Sequence, residues 1–191
     1  GQSINPRIIY CSVKGFLPGP YSDRPFLDEL AQMAGSLAYL TGLKDQPMRA
    51  GASITDIGAA TYGVVGILAA LYRRQLTGKG DRVESGLFET IVFWVSQYLT
   101  RAQMTGSNPQ PRGTRNSGMG AAMGWGVYEL FPTKEGKPVF IAVTGNRHWA
   151  GLCDALGFDD WKNAPEFNSN GKRTKEKRRI AVRVREAVEK L

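Results

Sequence analysis

The sequence has 191 residues, of which 42% are hydrophobic and 10% aromatic, and it carries a net charge of +8. This composition is typical of a folded globular protein and excludes the disordered and fibrous classes. The two cysteines, Cys11 and Cys153, form neither a metal-ligand pattern nor a disulfide framework, so we expect a reduced, cytoplasmic protein. We expect no signal peptide, because no basic segment followed by an apolar one opens the sequence.

A strand and then a helix are predicted first. Residues 7–13 are β-branched and apolar and predict a buried strand, which Lys14 and a loop rich in glycine and proline follow. Ligands gather at the carboxyl ends of strands in open α/β sheets, so this loop could meet a ligand. Residues 28–41 predict a helix that ends at Gly42. Its apolar face is predicted to consist of Leu27, Leu30, Met33, Ala34 and Leu37.

A glycine-containing helix is predicted over residues 56–75, with Thr55 or Asp56 capping its first turn. Three glycines lie within it: Gly58, Gly63 and Gly66. Each costs about 1 kcal/mol relative to alanine, which indicates close packing against another backbone or close approach of a ligand. The apolar residues 57–72 are fewer than the roughly 20 that a bilayer needs, so we expect a helix packed inside the protein and no membrane partner.

The pattern then changes towards a smaller α+β arrangement. Residues 81–85 predict a short extended piece, and a helix with one apolar stripe follows and ends at Gly106. That stripe consists of Leu87, Ile91, Trp94, Val95 and Tyr98. Residues 127–132 and 138–143 predict the two strands of a hairpin. A short helix over residues 149–156 and a final basic helix complete the prediction, the latter with Ile180, Val184, Val188 and Leu191 on one face.

Much of the positive charge lies near the end of the sequence. Residues 162–191 contain ten Lys and Arg against four Glu. A solvated helix face and a nucleic-acid-binding surface are the two interpretations. No aromatic residue follows Phe167 in this stretch, which favours the solvated face and no nucleic-acid partner. A basic chain also suits a phosphate-bearing small molecule.

Carboxylates are the strongest candidates for covalent chemistry. The sequence has one histidine, His148, and lacks a GxSxG nucleophile elbow, a GxxxxGK[ST] phosphate loop and a metal-ligand cluster. Asp56 follows a loop and opens the glycine-containing helix, where free N–H groups favour an anion, so it could act as a nucleophile or only as a cap. Lys14 could hold a carboxylate or phosphate, or be an ordinary surface lysine, and Asp28 is interpreted as a helix cap.

The sequence resembles a known family, the class III CoA-transferases or CaiB/BaiF family. The resemblance is carried in the first half by NPRIIYCSVKGF, GPYSDRP and SITDIGAATYGVVGILAALYRRQLTGKG with its continuation DRVESGLFET. In the second half it is carried by GWGVYELFPTKEGKPVFIAV and NRHWAGLCDALG. These segments occur in the family's order and spacing and cover nearly the whole chain.

The resemblance implies an α/β fold in two domains. Residues 1–105 would form part of a Rossmann-like CoA-binding large domain, residues 106–126 a linker and glycine-rich loop, and residues 127–191 a small α+β domain. Family members are longer, so the chain is expected to be a fragment that lacks N-terminal and C-terminal parts and is inactive alone. Complete members form interlocked homodimers.

The resemblance also implies the chemistry. Asp56 would attack an acyl-CoA thioester, giving a mixed anhydride and then an enzyme–CoA thioester, with a carboxylic acid as acceptor and no permanently bound cofactor or metal. The CoA-binding residues would be Lys14, Gly15, Phe16 and Leu17. The substrate-shielding loop would contain Gly118, Met119 and Gly120. Dicarboxylic acids are plausible substrates, with Arg24, Arg49 or Arg115 as carboxylate clamps.

Two alternatives stay open. The family includes 2-methylacyl-CoA racemases, which need a histidine just before Asp28, where this chain has Leu27. Leucine cannot exchange a proton, which argues against racemisation. The other alternative is a non-catalytic basic binding module.

Overall fold

The computed structural model describes residues 3–43, 45–112 and 124–191. The chain divides into two units, Gly1–Gly113 and Thr114–Leu191. The first unit contains β1 (Ile9–Lys14), α1 (Asp28–Ala34), α2 (Leu37–Thr41), α3 (Ile54–Thr77), β2 (Asp81–Gly86) and α4 (Leu87–Thr105). The second contains β3 (Val127–Pro132), β4 (Pro138–Val143), α5 (Asn146–Leu156), α6 (Asp159–Lys162), a 3-10 turn (Pro165–Phe167), α7 (Asn170–Lys175) and α8 (Lys177–Val188).

The sheet of the first unit is a parallel pair. Strand β1 pairs with β2 so that Ile9 lies opposite Asp81 and Lys14 lies opposite Gly86. Parallel strands need a long crossover between them, and helices α1 to α3 provide it. The predicted strand is confirmed with its bounds moved to include Lys14, and the predicted extended piece is β2.

Helix α3 packs on this sheet through small residues. A Cβ at Gly66 would lie 2.5 Å from Cγ1 of Val83, and a Cβ at Gly58 would lie 2.5 Å from Cζ2 of Trp94 in α4. Ser85 Oγ donates to the Ala59 carbonyl over 2.7 Å. These two glycines thus mark close packing, but their neighbours are side chains of β2 and α4 and not the backbone that was predicted. Because Gly66 meets Val83 and Ala59 meets Ser85, α3 runs antiparallel to β2 and begins at the carboxyl edge of the sheet.

The opposite face of α3 is apolar and exposed. Its exposed side chains include Ile57, Val64, Val65, Leu68, Tyr72 and Leu76. By length and composition alone this helix is long and apolar enough to cross a membrane, a test that core helices also pass, and 28% of its most apolar stretch is buried within the chain. The expectation of a helix packed inside the protein is thus met on one face only.

The predicted helix over residues 28–41 is wrong in two respects. It is two helices, because Ser36 adopts a left-handed φ of 65° between them. Gly35 also packs against α4, where a Cβ would lie 2.8 Å from Cβ of Ile91. The predicted apolar face is wrong at four of its five positions, whereas Leu37 packs against the core as predicted. Its residues Leu27, Leu30, Met33 and Ala34 are exposed, and the buried residues of α1 are Asp28, Ala31 and Gln32.

Helix α4 supplies the core of the first unit. It ends at Gly106, which has a φ of 66°, as predicted. The core consists of Ala31, Leu40, Ala59, Leu87, Ile91 and Val95. Within the predicted stripe, Leu87, Ile91 and Val95 are buried, while Trp94 is 37% exposed.

The second unit opens with the predicted hairpin. Strands β3 and β4 pair antiparallel with Val127 opposite Val143, and Gly136 turns between them with a φ of 76°. Helix α5 begins three residues earlier than predicted and ends before Gly157. Helix α8 buries three of the four predicted residues, Ile180, Val184 and Val188, whereas Leu191 is exposed.

Several cations of the basic stretch pack within the second unit. Arg183 lies 4.3 Å from the ring centroid of Trp161 and pairs with Asp160 over 2.7 Å. Arg173 is 1% exposed and donates to the Phe167 carbonyl and to Asn146. These arginines contribute to the aromatic core of the unit as well as to its charge.

Candidate functional site

The carboxyl edge of the β1–β2 pair gathers most of the predicted site residues. Lys14, the last residue of β1, donates from Nζ to Oε1 of Glu84 over 2.6 Å. Arg82 Nη2 donates to the same oxygen over 2.8 Å. The hydrogen bond from Lys14 lowers the pKa of Glu84, so Glu84 is ionised near neutral pH. The cation predicted to bind CoA thus has a carboxylate partner in this structure.

The segment after β1 is anchored to α4. Phe88 N–H donates to the Gly15 carbonyl over 3.1 Å, and Leu17 N–H donates to Oε1 of Glu89 over 3.0 Å. A Cβ at Gly15 would lie 3.3 Å from Cγ of Phe26 and closer still to its Cβ. Position 15 therefore has no space for a side chain.

Phe16 packs inside an aromatic cluster. Its ring centroid lies 4.2 Å from that of Phe26, 5.3 Å from Phe88 and 5.7 Å from Tyr21. The side chain is 8% exposed, so packing occupies the ring that was predicted to touch CoA. Leu17, the last residue of the predicted CoA segment, is half-buried.

Asp56 lies in the first turn of α3, at the carboxyl edge of the sheet. The N-cap residue is Ser53 and makes no side-chain cap hydrogen bond, so the prediction that Thr55 or Asp56 caps the helix is wrong. Asp56 is exposed, and no hydrogen bond or ion pair reaches its carboxylate from residues 3–43, 45–112 or 124–191.

Asp28 is a buried carboxylate that joins α1 to the start of α3. It accepts from Thr55 N–H over 2.7 Å, from the Thr55 hydroxyl, and from Nε2 of Gln32 over 2.6 Å. Burial alone would raise the pKa of Asp28, but these hydrogen bonds and the Asp56 backbone together lower it. Sequence reasoning interpreted Asp28 only as a cap of its own helix. The sequence did contain a signal that was missed. Asp28, Ala31 and Gln32 have helical spacing, which places two polar residues on the same face as a small apolar one.

The remaining predicted site residues are the arginines proposed as carboxylate clamps and the residues of the glycine-rich loop. Arg49 lies 3.7 Å from Glu29 and 3.9 Å from Asp28, and Arg24 stacks over Tyr21 at 4.6 Å. The predicted loop residues Gly118, Met119 and Gly120, and also Arg115, lie outside the described residues. No group of three His, Cys, Asp or Glu that could hold a metal occurs in the part of the chain that the structure describes.

A family model described as CoA-transferase family III matches residues 2–191. The chain belongs to CoA-transferase family III. A formyl-CoA:oxalate CoA-transferase of Rhodopseudomonas palustris BisB18 is 30% identical, over 96% of this chain and 47% of its own length. One of Streptomyces avermitilis is 33% identical, over 87% of this chain and 43% of its own length. This family III chain therefore spans about half the length of the curated relatives it matches.

Solved structures agree with the family assignment. A CaiB/BaiF family protein of Brucella suis superposes with a TM-score of 0.74 at 27% identity, over 100% of this chain and 49% of the other. A hypothetical protein of Mycobacterium tuberculosis superposes with a TM-score of 0.77 at 20% identity, over 98% of this chain and 48% of the other, which supports the fold alone. The predicted family and its mixed α/β fold are confirmed.

Proposed function

We propose that the complete protein transfers coenzyme A from an acyl-CoA thioester to a carboxylic acid, with Asp56 as the covalent nucleophile. Family III membership over residues 2–191 supports CoA transfer. The observation that carries the role of Asp56 is its place: an exposed carboxylate without a described partner, at a helix start on the carboxyl edge of a parallel strand pair. The relatives' names make formyl-CoA and oxalate the first substrates to test.

The first half of the reaction loads CoA onto the protein. An oxygen of Asp56 attacks the thioester carbonyl, the C–S bond breaks, and the CoA thiolate leaves behind a mixed anhydride. The thiolate then attacks the aspartyl carbonyl and releases the donor acid. The products are an aspartyl–CoA thioester and a carboxylate that carries one oxygen from Asp56.

The second half runs the same steps in reverse. The acceptor carboxylate attacks the aspartyl thioester, the thiolate leaves, and a new mixed anhydride forms. The thiolate then attacks the acceptor carbonyl, giving the new acyl-CoA and regenerating the Asp56 carboxylate. One thioester replaces another, so the exchange needs no external energy source.

We assign the remaining roles within the same proposal. Residues 14–17 would line the CoA site, with Lys14 exchanging its contact to Glu84 for an anionic group of CoA. Gly118, Met119 and Gly120 would cover the anhydride and exclude water from it. The complete protein would act as a homodimer and hold two carboxylates in attack geometry.

The test is the complete protein with Asp56→Asn, assayed with formyl-CoA and oxalate and then with a panel of acyl-CoA donors and acids. Loss of a covalent nucleophile should lower kcat by about a thousandfold or more. Asp45→Asn is the matched control, because Asp45 is also exposed and its left-handed φ of 57° suits asparagine. Normal turnover by Asp56→Asn, or no transfer by the unaltered protein with any pair, would contradict the proposal.

A further inference from the structure

At the start of α3, a side chain from another helix accepts a hydrogen bond from a backbone N–H group that the helix itself leaves unpaired. The first four N–H groups of a helix have no partner within it, and the N-cap side chain usually accepts from one of them. Here Ser53 makes no such bond. The N–H group of Ile54 donates to the Ala52 carbonyl, and that of Ile57 makes the first regular helical bond, to the Ser53 carbonyl. The N–H group of Thr55 donates to Oδ1 of Asp28 over 2.7 Å, and the Asp56 backbone is the smallest of the causes that lower the pKa of Asp28.

Asp28 reaches them from a different helix and is itself held in place. Gln32 donates to one Asp28 oxygen over 2.6 Å, and Thr55 donates to the other. The Gln32 carbonyl oxygen accepts from Ala50 N–H over 2.8 Å, which ties the loop before α3 to α1. Asp28 is 6% exposed and Gln32 and Thr55 are 0% exposed, so this network is shielded from water.

The arrangement leaves the carboxylate of Asp56 free. An aspartate in the first turn of a helix can fold back to accept from a free N–H group, and such a bond stabilises its charge and weakens its nucleophilicity. Asp28 accepts from the Thr55 N–H group, so Asp56 has no need to cap its own helix. The rigid contact between α1 and α3 also fixes the backbone from which Asp56 projects.

We propose that Asp28 is a positioning residue for the Asp56 nucleophile: it caps α3 in place of Asp56 and orients the turn that carries the attacking carboxylate. This inference rests on the proposed function. Asp28 is 6% exposed, and the role we assign to it is exerted through its hydrogen bonds to Thr55, the residue next to Asp56. Its loss should therefore slow the chemical steps and leave acyl-CoA affinity unchanged.

The test is Asp28→Asn in the complete protein, which keeps the shape of the side chain and removes its charge. We expect kcat to fall by about 10- to 100-fold, because displacement of a reacting group by about 1 Å costs that much, with KM for acyl-CoA within about twofold. The rate at which acyl-CoA alone forms the Asp56 adduct should fall by the same factor as kcat. A normal kcat per folded protein would overturn the inference.

If Asp28→Asn does not fold, two variants at Thr55 test whether Asp28 positions Asp56. Thr55→Val keeps the shape but removes the hydroxyl that donates to Asp28, and we expect about a tenfold loss of kcat. Thr55→Ser keeps the hydroxyl and should retain kcat within about twofold. Ser85→Ala removes a different buried hydrogen bond to α3 and is the reference for general destabilisation. Equal kcat values for the two Thr55 variants would overturn the inference.

The outcomes separate this inference from the proposed function. If Asp56→Asn abolishes transfer while Asp28→Asn and Thr55→Val turn over normally, the inference fails and the nucleophile stands. If Asp56→Asn retains transfer, the proposed function fails, and Asp28 then has no nucleophile to position.

Discussion

Lys14 and Glu84 join the last residue of β1 to β2 through a contact of 2.6 Å between Nζ and Oε1. The two side chains are 34% and 20% exposed, so both are partly accessible. In the strand register Glu84 lies opposite Ser12, and Lys14 lies opposite Gly86. The Lys14 side chain therefore points towards the amino-terminal end of β2, where Glu84 lies. An anionic ligand at the carboxyl edge of the sheet would attract it in the opposite direction.

Replacing Lys14 should weaken CoA binding more than it slows the chemistry. In the complete protein we expect Lys14→Met to raise KM for acyl-CoA by about tenfold, the effect of losing one charge-assisted hydrogen bond, with kcat within about twofold. Steady-state kinetics over a range of acyl-CoA concentrations provides the measurement. Lys137→Met, which breaks the exposed pair with Glu135 beside the hairpin turn, is the control. An unchanged KM for Lys14→Met would remove Lys14 from the proposed CoA site.

The close approach of α3 and α4 should make Gly58 intolerant of a side chain. A Cβ there would meet the Trp94 ring and lie 2.7 Å from Cγ2 of Thr90. Such overpacking costs about 1–3 kcal/mol, which exceeds the roughly 1 kcal/mol by which alanine favours a helix. Gly58→Ala should therefore lower the free energy of unfolding in urea. Gly51→Ala, at a position with open space, should change it by less than about 0.5 kcal/mol, and an unchanged value for Gly58→Ala would contradict the packing.

Asp28 should make stability depend on pH in acid. Because its pKa is lower in the folded protein than the ordinary value of 3.8, its contribution is fully present above that value and is lost as pH falls through the folded pKa. Asp28→Asn should cost about 1–3 kcal/mol at pH 7, since it leaves buried donors unsatisfied. The difference from the unaltered protein should shrink in urea unfolding at acid pH. A difference that does not change with pH would show that the charge of Asp28 contributes nothing to folding.

The sequence predicted the elements whose determinants are local. The hairpin bounds follow from apolar strands around a glycine turn, and the end of α4 follows from Gly106. The exposed apolar residues of α1 and α3 could not be anticipated from periodicity, because periodicity finds an apolar face but not what covers it. The break between α1 and α2 likewise depends on the approach of Ile91, which lies far along the chain.

The candidate site was predicted through resemblance more than through physics. Local pattern placed Asp56 at a helix start and Lys14 directly after a strand, and the structure has Asp56 in the first turn of α3 and Lys14 as the last residue of β1. The capping of α3 by Asp28 spans 27 residues and crosses between helices, so no local rule for caps could find it. The ion pair of Lys14 with Glu84 spans 70 residues and was missed for the same reason.

The most direct test follows one oxygen atom. With an acceptor acid labelled with ¹⁸O in its carboxylate, each turnover should leave one labelled oxygen on the nucleophile, because the acceptor oxygen becomes the bridging atom of the second anhydride. Mass spectrometry of the peptide that contains Asp56 should show a gain of about 2 Da after one turnover, rising to about 4 Da once both carboxylate oxygens have exchanged, and no gain without acyl-CoA. Sustained transfer with no label on Asp56 would contradict its role as the carrier.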